Sequence, residues 1–167
     1  MKLNEIIAQE NVFIDANIFI YHFTGASLEC KEFLKDCAQK KYHAFTSIAV
    51  LAEVCHRLMA IEALKRGWTQ PKQPSLSLQK HPAVVKKLSE YYVQMTNILG
   101  WNIQIIHPPE NLITKSQIYR QRFGFLTNDS LIPVYMEEAG TANLASADKI
   151  FNSIDHLKLY SPADIHS

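Results

Sequence analysis

Asn11-Val12-Phe13-Ile14-Asp15-Ala16-Asn17-Ile18-Phe19 reads as a short apolar strand that stops at a carboxylate and turns at once into a helix. Val12, Phe13 and Ile14 form a continuous apolar run, the pattern of a strand with helices packed on both faces of its sheet. Asp15 stands at the strand's carboxyl end. Asn17 admits two readings: a cap for a helix over Ile18–Phe23, or an amide that orients Asp15 or touches a phosphate.

Working outward, the same alternation recurs. Gly25 breaks the first helix, and Ser27 caps a second that runs to about Lys40, with Leu28, Phe33, Leu34 and Cys37 on one stripe. His43–Phe45 is the next strand. Thr46 or Ser47 caps a long helix reaching to about Arg66, and its second turn holds Glu53. Gly67 ends it. Residues 68–82 contain Pro71, Pro74 and Pro82 and read as a surface excursion, after which a helix is expected over Ala83–Leu99. Ile103–Ile106 is a strand, Asn111–Arg122 a helix, and Asn128 the cap of a helix over Asp129–Ala139 that Gly140 stops. Asn143–Ala145 is a strand leading to Ser146 and Asp148, and Leu157–Tyr160 an edge strand. Strands separated by helices argue for an α/β fold: one domain over 1–167, an α/β/α sandwich on a short central parallel sheet, with 66–90 as a basic, partly Pro-rich excursion.

In such a sheet, ligands collect beyond the carboxyl ends of the strands. Asp15 follows the first strand, Glu53 lies early in the helix after the second, Asp129 begins a helix, and Asp148 follows the returning strand. All four are therefore expected at one edge. Carboxylates gathered there repel one another and raise each other's pKa unless a cation joins them. A shared divalent metal is the economical reading, and oxygen-only ligation favours Mg²⁺ or Mn²⁺.

Bulk properties agree with a globular chain: 167 residues, 47% hydrophobic, 20% charged, formal net charge +1. The distribution of charge says more. Between residues 57 and 87, Arg57, Lys65, Arg66, Lys72, Lys80, Lys86 and Lys87 face a single acid, Glu62, and a basic belt beside an acidic pocket suits a polyanion. Of these, Lys65, Arg66, Lys72, Lys80, Lys86 and Lys87 are candidate RNA contacts. No apolar stretch is long enough for a membrane span, and the N-terminus does not read as a targeting signal. Cys30, Cys37 and Cys55 form no C-x-x-C pair and suit a reducing compartment, so a cytoplasmic protein is expected. The histidines show no zinc-ligand spacing.

These residues resemble a known family. Phe13-Ile14-Asp15-Ala16-Asn17, Ser47 to Val54 around Glu53, Asn128-Asp129-Ser130-Leu131-Ile132 and Leu144 to Phe151 around Asp148 are similar to the four acidic segments of PIN-domain ribonucleases. In size and layout the chain looks like the VapC-type toxins of toxin–antitoxin pairs. The resemblance implies a Mg²⁺- or Mn²⁺-dependent endoribonuclease with Asp15, Glu53, Asp129 and Asp148 as catalytic metal ligands. Ser146 then stands where the family carries a Ser or Thr near the metal. RNA is the implied substrate, an antitoxin protein a possible partner, and a homodimer the expected assembly. The excursion over 66–90 is longer than a minimal toxin carries.

Two other classes fit the sequence less well. A PIN fold acting as a scaffold or RNA-docking module would commonly lack some of the acids, and all are present here. A haloacid-dehalogenase-like phosphatase would carry a second acid two residues after the first, where this chain has Asn17. Because like charges in a metal-free cluster repel one another, Asp15→Asn or Asp129→Asn is expected to leave metal-free stability steady or higher.

Overall fold

The computed structural model describes residues 1–69 and 78–165. A five-stranded, all-parallel sheet in the order β3-β2-β1-β4-β5 is flanked by helices. Its strands are β1 (Asn11–Ile14), β2 (His43–Ser47), β3 (Ile103–Ile106), β4 (Asn143–Ala145) and β5 (Lys158–Tyr160). The helices are α1 (Ala16–Thr24), α2 (Leu28–Ala38), α3 (Ile48–Lys65), α4 (Glu90–Gly100), α5 (Leu112–Phe123) and α6 (Thr127–Glu138). From β1 the chain builds outward through β2 to β3, then crosses back to place β4 on the other side of β1. The reversal between β1 and β4 is the topological switch point at which α/β sheets open a crevice.

The apolar runs explain the layout. Val12, Phe13 and Ile14 in β1 and Leu144 and Ala145 in β4 are fully buried, as central strands covered on both faces require. Phe13 pairs in register with Phe45 on one side and Leu144 on the other. Its ring stacks on Tyr135 of α6 at 6.3 Å between centroids, and Phe125 meets Phe151 edge-on at 5.6 Å. These two contacts fix the helix that carries Asp129 against the strand and turn that carry Asp15 and Asp148. Burial of each such ring contributes about 1.5–3 kcal/mol.

Several boundaries differ from the sequence expectation, each for a local reason. Helix α1 begins at Ala16 because Asp15, not Asn17, is its cap: the Asp15 carboxylate accepts from the Ala16 amide at 2.6 Å. The helix expected over Ala83–Leu99 is interrupted. A single turn, Pro82–Val85, is followed by a fresh start at Glu90, since Glu62 of α3 accepts from the backbone N–H groups of Ser89 and Tyr91. Helix α6 starts at Thr127, before Asn128, whose side chain does no capping. The flanks of the excursion also bury apolar surface. Leu78 and Leu88 pack with Ala60, Ala63, Trp68 and Val85 as a second, smaller core. Beyond β5 the first residues add to the sheet edge, with Lys2 bridged to Ser161. Among the described residues no helix is long and apolar enough to cross a membrane.

Candidate active site

Two turns meet at the switch point, and a hydroxyl joins them. The Ser146 side chain, at the end of β4, donates to Asp15 Oδ2 at 2.6 Å and accepts from the Asn17 amide and the Asp148 backbone N–H, each at 3.0 Å. Asn17 also donates to Asp15 Oδ2 at 2.6 Å and accepts from the Ala147 N–H at 3.0 Å. Asn17 and Ser146 therefore orient Asp15. Because the cap role belongs to Asp15, the Asn17 side chain is free to cross between the two turns.

A cleft of about 230 Å³ opens at this point. Asp15, Glu53, Asp129 and Asp148 all line it, with Asn17, Arg57 and Asn128. Asp15 is buried, Glu53 and Asp129 are half-buried, and Asp148 is exposed. Asp148 Oδ1 accepts from the Ile150 N–H at 3.0 Å, which caps the short turn Lys149–Ser153. Glu53 is held from α6: the Asn128 amide donates to its Oε2 at 3.2 Å, and Arg57 Nε stands 4.0 Å from Oε1.

Burial dominates the electrostatics of the site, and the neighbouring acids add to it. Burial pushes the Asp15 carboxyl up to about 6, against the hydrogen bonds from Ser146 and Ala16 and with the help of the Glu53 and Asp129 charges. Burial also raises Asp129, reinforced by Asp148 and then Glu53. Among the described residues no three His, Cys, Asp or Glu side chains stand close enough to share one ion in this conformation. The donor set is nonetheless the kind a hard divalent cation takes, all oxygens on one wall-to-wall cleft. Glu53 and Asp148, with fewer restraints than Asp15, are the side chains whose rotation would close it.

The basic candidates lie elsewhere. Lys65 and Arg66 are twelve and thirteen residues past Glu53, roughly 18 Å along the α3 axis and turned away from its cleft-facing side. Arg66 is engaged there, 2.7 Å from Glu90, 3.3 Å from Glu62 and over the Trp68 ring. Lys80, Lys86 and Lys87 are exposed beside that far end. Lys72 lies outside the described residues. Among the described residues, the basic candidates and the acids are thus at opposite ends of α3, and Arg57 is the basic residue that reaches the cleft. Sequence reading missed Arg57 and Asn128 as cleft residues. The signals were available: Arg57 is one turn from Glu53 on the same helix, and Asn128 adjoins Asp129. The cysteines make no disulfide, and burial pushes the Cys30 thiol up to about 11, which makes it inert.

Comparison with known proteins bears on this arrangement. The PIN domain family's sequence model matches residues 12–157. Ribonuclease VapC2 of Methanocaldococcus jannaschii is 25% identical over 155 residues, which span 90% of this chain and 93% of that protein. A chain in the crystal structure of VapBC2 from Rickettsia felis bound to a DNA fragment from their promoter shares the fold. Its TM-score is 0.57 at 16% identity, with 91% of this chain and 98% of that chain covered.

Proposed function

The chain belongs to the PIN-domain family, and from that membership we propose that it is a divalent-metal-dependent endoribonuclease, the toxin of a toxin–antitoxin pair. The observation that carries this reading is the lining of one cleft by Asp15, Glu53, Asp129 and Asp148. The similarity to a ribonuclease over most of the chain supports it.

Asp15, Glu53, Asp129 and Asp148 would hold Mg²⁺ or Mn²⁺, which when bound lowers the pKa of a water and offsets the charge that builds on the phosphate. The remaining work falls to the protein. Asp15 is the rigid member, since three hydrogen bonds from Ala16, Asn17 and Ser146 fix both of its oxygens. Asp129 and Glu53 stand on two different helices with their carboxylates toward the same space, so either is positioned to orient the attacking water or accept its proton. The burial of Asp15 and the apolar wall of Ile20, Val50, Leu131 and Ile132 restrict water to the mouth of the cleft.

Three further parts of the proposal follow from the family. A small antitoxin protein is the partner, as the VapBC2 complex is for its own chains; the assembly is a homodimer; and the compartment is the cytoplasm, where free thiols persist. Light scattering at tens of micromolar tests the dimer, and pulldown from the host tests the partner.

The nuclease is tested by incubating RNA with the purified protein in Mn²⁺, in EDTA, and as Asp15→Asn. Cleavage is expected in the first only, leaving 5′-phosphate and 3′-hydroxyl ends. Equal cleavage in EDTA, or by Asp15→Asn, overturns the metal-nuclease reading. A scaffold role would instead give RNA or protein binding with no cleavage in Mn²⁺.

A further inference from the structure

Four acids and one guanidinium line the cleft, and the guanidinium is uncommitted. Arg57 sits one helical turn beyond Glu53 on α3, with its side chain 64% exposed and its Nε 4.0 Å from Glu53 Oε1. That is the outer limit of an ion pair, and no hydrogen bond among the described residues joins Arg57 to the protein. Two of the other arginines are committed, and Arg122 lies over the Phe123 ring away from the cleft. Arg66 pairs with Glu62 and Glu90. Arg120 donates to Ser116, Ser130, Gln117 and the Ile113 carbonyl, which locks α5 to α6. Glu53 does not depend on Arg57 for its orientation either, because the Asn128 amide holds its other oxygen from across the cleft.

An RNA strand entering a cleft lined by carboxylates meets repulsion that metal ions relieve only where they sit. A phosphate next to the scissile one needs its own cation, and a guanidinium fork offers two parallel donors matched to phosphate oxygens. We propose that Arg57 forms a subsite for the RNA phosphate adjacent to the one cleaved, exchanging its loose contact with Glu53 for the substrate. The exchange costs little, since an exposed pair at this distance is weak. It also frees one Glu53 oxygen as substrate arrives. Lys65 and Arg66, at the far end of α3, cannot serve this position. The subsite rests on the nuclease reading above, and its test is separable from it.

The measurement is fluorescence anisotropy of labelled single-stranded RNA with the full-length chain in Mg²⁺, carried in an Asp15→Asn background so that the probe stays intact. Adding Arg57→Gln should weaken binding about tenfold, the size of one charge-assisted contact. It should also remove about 0.7 from the slope of log affinity against log salt. Arg57→Lys should keep the slope while losing part of the affinity, because the charge remains and the fork is gone. In cleavage assays without the Asp15 change, Arg57→Gln should raise KM by about the same tenfold factor and leave kcat nearly unchanged. The thermal shift induced by Mn²⁺ should be the same with and without Arg57, which a purely supporting role toward Glu53 would not allow. Equal RNA affinity and equal slope in the two forms overturn the subsite, whichever way cleavage turns out. A wild-type protein that cuts no RNA in Mn²⁺ overturns the nuclease reading instead, and the binding arm still decides whether Arg57 holds a phosphate.

Discussion

Helix α3 carries two glutamates with opposite fates. Glu62, toward its C-terminal end, is 3% exposed yet fully provided for: Ser89 and Tyr91 donate backbone N–H groups at 2.9 and 3.0 Å, and Arg66 stands 3.3 Å away. Burial pushes its carboxyl up, but the N–H groups of Ser89, Tyr91 and Glu90 and then the Arg66 charge outweigh that and leave it below the usual range. Glu53, near the other end, is half-exposed and held by one amide at 3.2 Å, and its nearest charges are other acids as well as Arg57. Asp15 across the cleft is buried like Glu62 but moves in the opposite direction, up to about 6. A buried carboxylate that meets donors and a guanidinium is structural cement. One that meets donors and two more carboxylates is left above the usual carboxylate range, chiefly by burial and further by its neighbours' charges.

The largest expected effect separates these ends by activity. Asp129→Asn should reduce RNA cleavage in Mn²⁺ to background while the protein stays folded by circular dichroism. Glu62→Gln should leave cleavage near the wild-type rate. If Glu62→Gln is the inactive form and Asp129→Asn cuts normally, the two ends of α3 have been assigned the wrong way round.

Stability should reverse the ranking. Glu62→Ala leaves the N–H groups of Ser89 and Tyr91 without their acceptor and Arg66 without one of its carboxylates, at a cost of about 2–3 kcal/mol in urea unfolding. Asp129→Asn relieves repulsion and should leave metal-free stability steady or higher. Asp15→Asn breaks the pattern expected from repulsion alone. Asp15 Oδ2 accepts from both Asn17 and Ser146, so an amide nitrogen there would face a donor. A loss of about 1–2 kcal/mol is expected despite the relief of charge. A stability gain in Asp15→Asn would mean that repulsion outweighs this network.

Acid titration sharpens the contrast. The raised Asp15 means that the folded chain holds a proton the unfolded chain has released, so its contribution to stability is present below about pH 4 and is lost as pH rises to about 6. The change is on the order of 3 kcal/mol without metal. The depressed Glu62 acts with the other sign: its contribution is present at neutral pH and is lost as pH falls through its folded value. In metal-free buffer, Glu62→Gln should therefore leave a stability curve that falls from pH 4 to 6, and saturating Mn²⁺ should flatten it. A curve that rises through that window in Glu62→Gln would remove the argument that Asp15 is under electrostatic strain.

Much of this could be read before the fold was known, and the limits are physical. The central strands at 11–14 and 143–145 were legible as short, mainly apolar runs between polar turns, because strands covered on both faces bury their side chains; the edge strand at 103–106 was legible from its isoleucines, although it is only partly buried. The acids were found by their position after strands and at helix starts. What was not legible were particular hydrogen bonds between side chains distant in sequence. That Asn17 bridges two turns depends on Ser146 and Ala147; that Asn128 reaches Glu53 depends on α3 and α6 facing one cleft; that residues 86–89 are not helical depends on Glu62. Periodicity reports local preference and carries no knowledge of a partner so far along the chain. The place of the belt was set in the same way: among the described residues Lys65, Arg66, Lys80, Lys86 and Lys87 lie toward the end of α3 far from the acids, a separation that their spacing in sequence does not report.

The smallest effect concerns Asn128, whose amide is the hydrogen-bond donor to the Glu53 carboxylate among the described residues. Its amide is exposed and its contact at 3.2 Å is long, so Asn128→Ala should change stability by no more than about 0.5 kcal/mol. Its influence on cleavage should be larger than that figure suggests. With Glu53 in the metal-binding role proposed above, removing the group that orients it should lower activity by about tenfold, because Glu53 then samples rotamers aimed at solvent or at Arg57. The loss should appear in kcat and in the Mn²⁺ concentration required, with the RNA affinity of the Asp15→Asn background unchanged. The double variant with Arg57→Gln should lose the two effects independently, KM through Arg57 and metal requirement through Asn128. If Asn128→Ala instead weakens RNA binding and leaves the Mn²⁺ requirement alone, Asn128 contacts the strand, and Glu53 needs no help to face the cleft.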